Sequence, residues 1–123
     1  MKCYIAGPMR GIEKYNYPAF NKAAAVLRAA GWLVYNPAEM DANFDVENYS
    51  TRSITQQQEH DTNEAARHFA RRDVNVILNE LKGEDGDAIY MLPGFEGSTG
   101  AKAEIALGRW VGLKTIRYTG DLL

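Results

Sequence analysis

Glu104 is the residue whose surroundings first ask for a chemical explanation. It lies in "GFEGSTGAKAEIALGRW" (94–110), where a glycine-rich turn runs into a helical pattern. At helical spacing its neighbours one turn away are Gly100 and Gly108, flanked by Ala101 and Leu107, while Lys102 and Arg109 point elsewhere around the helix. A bare carboxylate on such a face is expensive to bury. Two glycines above and below it would leave a hollow about the size of a sugar ring. The pattern favours a carboxylate held for reaction over a solvated surface charge.

Asp73 is the second misplaced acid. It falls on the stripe of Ala66, Phe69, Ala70 and Ile77, four residues from both Phe69 and Ile77. Such a charge is either paired, with Arg71, Arg72 or Arg10 as candidates, or placed for a ligand, and the spacing leaves both open. Two carboxylates converging on one crevice suit sugar chemistry. One acts as nucleophile or ion-pair partner to an oxocarbenium-like centre, and the other holds a hydroxyl or moves a proton.

Around this pair stand residues suited to binding. Ser98 or Thr99 can cap the helix that carries Glu104, whose free backbone N–H groups would then make an anion site. Gly97 and Gly100 let the backbone come close to a ligand. Arg10, in "GPMRG" (7–11), would face that helix end and could complete an anion clamp, although an exposed loop arginine is the commoner case. Tyr15, Asn16 and Tyr17 could line a base-binding wall or serve the start of the next helix. Tyr4 points either into the core or toward the crevice, where its phenol could orient a carboxylate.

The elements that must position these groups read as follows. "KCYIAG" (2–7), "WLVY" (32–35), "AIYMLP" (88–93) and "KTIRY" (114–118) are short apolar runs typical of buried strands. Helical periodicity covers residues 18–30, closed by Gly31, then about 62–81, and 99–111. "NP" (36–37) ends the second strand. Residues 41–62 are polar and weakly periodic, and read as a long loop or lid with room for a short helix.

Strands alternating with helices predict an α/β, flavodoxin-like, doubly wound parallel sheet of order 2-1-3-4, with room for a fifth short strand and with helices on both faces. One domain spans residues 1–123. Strands one and three are then neighbours, and ligands bind such sheets beyond the C-terminal ends of the strands at this switch point. Strand one empties into "GPMRG" and strand three into "PGFEGSTG", so topology alone brings Gly7, Pro8, Met9, Arg10 and Gly11 opposite Ser98 and Gly100.

Composition narrows the partners. The chain has 16 acidic and 14 basic residues, a net charge of -2, and no run approaching the ~20 apolar residues of a membrane span. Neither a nucleic-acid polymer nor an anionic membrane is favoured. Cys3 is the only cysteine, and His60 and His68 have poor metal-ligand spacing, so no metal site is expected. A reducing cytoplasm, the protein's own or a host's, fits this composition. No Gly-x-Gly-x-x-Gly fingerprint follows strand one, which argues against an unrelated flavin or dinucleotide binder.

The strings "YIAGPMRG", "NYPAFNKAAAVLRAAGW" with "NPAE", "RRDVNVI" and "DAIYMLPGFEGSTGAKAEIALG" together resemble the nucleoside 2-deoxyribosyltransferase-like superfamily, over about residues 3–118. The likeness is strongest to its small phage and bacterial branch of unknown function. "STGAKAE" is similar to the Ser-x-Gly-x-x-x-Glu segment of the 2′-deoxynucleoside 5′-monophosphate N-glycosidases. The resemblance implies an enzyme acting on the N-glycosidic bond, with Glu104 attacking C1′ to form a covalent glycosyl ester. It implies that Tyr4 orients the nucleophile and that Asp73 assists the leaving base or a sugar hydroxyl. Ser98, the helix N-terminus and the Arg10 turn would bind a 5′-phosphate. A homodimer or higher homo-oligomer acting on a nucleoside or nucleotide, with no metal or organic cofactor, is the corresponding expectation.

This chain departs from the family pattern in three places. Arg10-Gly11-Ile12 stands where the nucleotide hydrolases carry a second glycine. The "PGFEG" loop before Ser98 is longer. The sequence stops soon after strand four, without the segment through which the transferases complete a neighbour's site. Hydrolysis is therefore expected ahead of base exchange, and a catalytically silent nucleotide-binding or sensing module is the alternative from another class.

Overall fold

In the computed structural model, which describes residues 1–45 and 63–120, four strands form one all-parallel sheet. The strands are β1 (Lys2–Ala6), β2 (Leu33–Tyr35), β3 (Ala88–Met91) and β4 (Lys114–Arg117), in the order β2-β1-β3-β4. Among the described residues four α-helices accompany them: α1 (Tyr17–Ala29), α2 (Pro37–Asp45), α3 (Asn63–Asn79) and α4 (Thr99–Trp110). The expected topology is the observed one. No fifth strand occurs among the described residues.

Alternation along the strands divides the core in two. Cys3 and Ile5 of β1 and Tyr90 of β3 face Phe20, Ala23, Ala24 and Leu27 of α1. Tyr4 and Ala6, with Ile89 and Met91, face the other way toward Ile77 of α3 and Ala101 and Ile105 of α4. Helices therefore cover both sides of the sheet, as a buried parallel sheet requires. The pairing of Cys3 with Ala88 and of Ala6 with Met91 sets β1 and β3 level, so both strands end at one edge. A backbone bond from Leu92 N to Ala6 O (2.8 Å) keeps the two chains together as they leave the sheet.

Helix α2 begins ahead of the 41–62 stretch, read as a long loop or lid with room for a short helix, and its second half falls inside that stretch. Asn36 and Pro37 do end β2, but they also begin a helix. The Asn36 side-chain oxygen accepts from Ala38 N at 3.0 Å, and Pro37 occupies the first helical turn, where a missing N–H is harmless. Weak amphipathicity hid this helix: it buries only Ala38 and Asp41 among its residues whose side chains are described, apart from Pro37. The remainder of the expected lid, 46–62, lies outside the described residues. No helix among the described residues is long and apolar enough to cross a membrane.

Candidate active site

Tyr4 sits in the middle of β1, fully buried, on the face that meets α4. Its hydroxyl donates to Glu104 Oε2 at 2.6 Å, short enough to mark a bond to a charged or proton-sharing acceptor. The core and the crevice were alternatives for this side chain; it belongs to the core and is not part of the cavity lining, while its hydroxyl reaches a carboxyl that is. The ring is packed with Ile77, Ala101 and Ile105, and its hydroxyl stays buried against the Glu104 carboxyl.

Asp73 approaches from α3. Its Oδ1 accepts from Arg72 Nε and Nη2, each at 2.9 Å, and the same guanidinium donates through Nη1 to Asp41 Oδ1 at 2.6 Å. The side chains of Asp41, Asp73 and Arg72 are 4%, 12% and 19% exposed, so water screens this triad little. Tyr17 donates to the other oxygen of Asp41 at 2.8 Å, and the Phe69 ring lies 5.0 Å from the guanidinium carbon. Of the three arginines considered as partners of Asp73, Arg72 is the one the structure pairs with it.

The two carboxyls and the Arg72–Asp41 pair open on one cavity of about 570 Å³, within the range of small-molecule sites. Glu104, Asp73, Arg72 and Asp41 line it on one side. The turn after β1 contributes Gly7, Pro8, Met9 and Arg10, and the start of α4 contributes Ser98 and Gly100. Gly7 is required by its neighbour, because a Cβ there would stand 2.8 Å from Leu92 Cβ. Ser98 caps α4 by accepting from Ala101 N at 3.1 Å, while nothing lies within 4 Å of a Cβ built at Gly97 or Gly100. The helix end is thus open toward the cavity, with its backbone donors directed outward.

Burial pushes the Glu104 carboxyl well above the ordinary carboxylate range, and the neighbouring Asp73 charge pushes it further. The Tyr4 hydroxyl and, more weakly, Arg72 oppose that rise. Asp73 is also raised by burial, against the pull of Arg72. Burial and the two carboxyls together raise the Tyr4 phenol, so it stays a neutral donor. Arg72 keeps its proton, since the charges of Asp73 and Asp41 outweigh its own burial. The result is a carboxyl pair that titrates as a unit and favours holding a proton.

Three expectations need correction. Gly108 does not wall a hollow beside Glu104. It is buried against β3, where an added Cβ would collide with Ile89 Cδ1, so the glycine serves close helix–sheet packing. Gly11 lies outside the cavity lining, and its φ of 78° gives it a turn role instead. Asn16 also lies outside the lining. Its Nδ2 donates to Pro8 O at 3.0 Å from a left-handed backbone (φ 61°), so it braces the turn that forms one rim. Tyr15 does line the cavity, and Tyr17 acts through Asp41.

Arg72 and Asp41 are the site residues that sequence reasoning missed in this role. Arg72 was visible only as one of three possible partners of Asp73. Asp41 carried no periodic signal at all. The α3 stripe also divides in space: Ile77 belongs to the core, whereas Ala66, Phe69 and Ala70 form an apolar cavity wall.

The family model of a domain of unknown function (DUF4406) matches residues 1–65 and 71–117, and the chain belongs to this family. The matched stretches include Tyr4, Asp41, Arg72, Asp73, Ser98 and Glu104. No curated protein and no solved structure matches the chain.

Proposed function

We propose that this protein cleaves the N-glycosidic bond of a small nucleoside or nucleoside 5′-monophosphate, releasing free base through a glycosyl ester on Glu104. The observation that carries the reading is the Tyr4–Glu104 bond of 2.6 Å beside Asp73, in a cavity rimmed by the open start of α4. The resemblance of "STGAKAE" to the nucleotide N-glycosidase segment supports the same assignment.

The chemistry follows from a carboxyl pair holding one proton. With the proton on Asp73, the Glu104 oxygen forms a bond to C1′ as the C1′–N bond breaks, and Asp73 delivers its proton to the departing base. Tyr4 holds the attacking carboxylate in place. Water then attacks C1′, giving its proton to Asp73 while Glu104 leaves as carboxylate. The sum is nucleoside plus water to free base plus free sugar, a double displacement of the retaining type. The apolar wall of Ala66, Phe69 and Ala70 suits a base, and the end of α4 with Arg10 suits an anionic 5′ group.

Incubation with a panel of ribo- and deoxyribonucleosides and their 5′-monophosphates, followed by chromatography of free base, tests the proposal. Glu104→Ala is expected to lower base release by about a thousandfold or more, as loss of a covalent nucleophile does. Release that survives this substitution unchanged would end the mechanism. A second free base in the same mixture distinguishes exchange from hydrolysis, because exchange yields a new nucleoside. Tight nucleotide binding without release would identify a binding module instead.

A further inference from the structure

Two buried carboxyl groups side by side tend toward full protonation, because burial penalises each charge and the second charge repels the first. A pair with a proton on both members has no nucleophile. Something must keep one negative charge in the pair, and the geometry points to a group outside the expected set.

We infer that Arg72 is the positioning residue of this site: clamped between Asp41 and Asp73, it holds one negative charge on the Asp73–Glu104 pair against the second protonation that burial favours, so that one carboxylate and one acid coexist. Three contacts of 2.6–2.9 Å fix the guanidinium, two to Asp73 Oδ1 and one to Asp41 Oδ1. Asp41 is itself fixed by the Tyr17 hydroxyl, and Phe69 covers the guanidinium. The charge of Arg72 is therefore held on Asp73 at 2.9 Å, while the Tyr4 hydroxyl donates to Glu104 at 2.6 Å. The groups facing the pair are Tyr4 from β1, Asp41 from α2, Arg72 from α3 and Arg10 from the turn after β1. The Tyr4 hydroxyl and the Arg72 guanidinium each favour an anion on either member of the pair, which leaves the shared proton free to change sides during a reaction cycle.

The catalytic meaning of this arrangement rests on the glycosidase reading, but its test does not. Carbon-13 NMR of the side-chain carboxyls of the full chain follows the titration of both acids, with Asp73→Asn and Glu104→Gln identifying the two signals. In Arg72→Gln the pH at which the pair takes up its second proton is expected to rise by about one to three units, the usual effect of an adjacent cation on an aspartate. Because Asp41 would be left as an orphan buried charge in that variant, the double substitution Arg72→Gln/Asp41→Asn is measured beside it. The same upward shift is expected there. Arg72→Lys, which keeps the charge without the fork, is expected to restore part of the wild-type titration.

An Asp73 signal titrating as in wild type in either folded variant overturns the assignment. So does failure of both variants to fold, which would make the ion pair purely structural. Base release is read separately on the same samples. Where the enzyme turns over, the acid limb of its pH–rate profile moves up with the NMR titration. Where wild type releases no base, the glycosidase reading fails while the titration still decides the role of Arg72.

Discussion

A carboxyl group held well above its ordinary range weakens the fold that holds it, and Glu104→Gln should reveal this directly. The folded chain keeps a proton at Glu104 that the unfolded chain has already released, so stability falls as pH rises from about 4.5, the ordinary glutamate value, to the raised native value. The slope in that window reaches about 1.4 kcal/mol per pH unit for one proton. Glutamine has nearly the same shape, can still accept from the Tyr4 hydroxyl, and never ionises. The variant should therefore match or fall slightly below wild type at the acid end of the window. It should exceed wild type increasingly toward neutral pH, by about 4 °C in Tm for each kcal/mol gained. Thermal unfolding of both proteins from about pH 4 to about pH 9 measures the difference curve. A Glu104→Gln protein that melts below wild type throughout, or by an amount independent of pH, would refute the burial argument. Greater stability together with lost base release would mark Glu104 as a residue kept for function at the expense of the fold.

Two further outcomes test the supporting frame. Gly108→Ala forces a Cβ against Ile89 Cδ1 at the α4–β3 contact, and urea unfolding should show destabilisation of about 1–3 kcal/mol. Were glycine there to wall a ligand hollow instead, the substitution would alter ligand affinity and leave stability nearly intact. Ser98→Ala removes the cap on α4 and should destabilise by about 1 kcal/mol in the same assay. Because Ser98 also lines the cavity, this variant should weaken binding of 5′-monophosphates more than of the unphosphorylated nucleosides, measured by calorimetry.

Much of the frame was legible because it depends on local pattern and on general rules of connection. Apolar runs at the strand positions, a Ser before a helical period and right-handed crossovers are enough to give the sheet order 2-1-3-4. They also place the turns after β1 and β3 at one edge. The helix from Pro37 to Asp45 was not legible, because it buries too little apolar surface to leave a period in the sequence. Asn36-Pro37 reads equally as a stop after a strand and as the start of a helix. Gly108 misled for a related reason. Spacing shows that a glycine shares a face with Glu104, but not whether that face meets a cavity or the side chain of a neighbouring strand.

By itself the sequence determined the class of fold, the crevice and two acids out of place, since each follows from burial preference and period along one element. The tertiary structure decided the partners. Tyr4 meets Glu104 across 100 positions of sequence, and Arg72 meets Asp41 across 31. Such bonds leave no trace in local periodicity, because they arise from how β1, α2, α3 and α4 pack around one edge of the sheet. Those contacts turn Asp73 and Glu104 from two anomalies into two acids lining one cavity, with the Tyr4 phenol on Glu104 and the Arg72 guanidinium on Asp73.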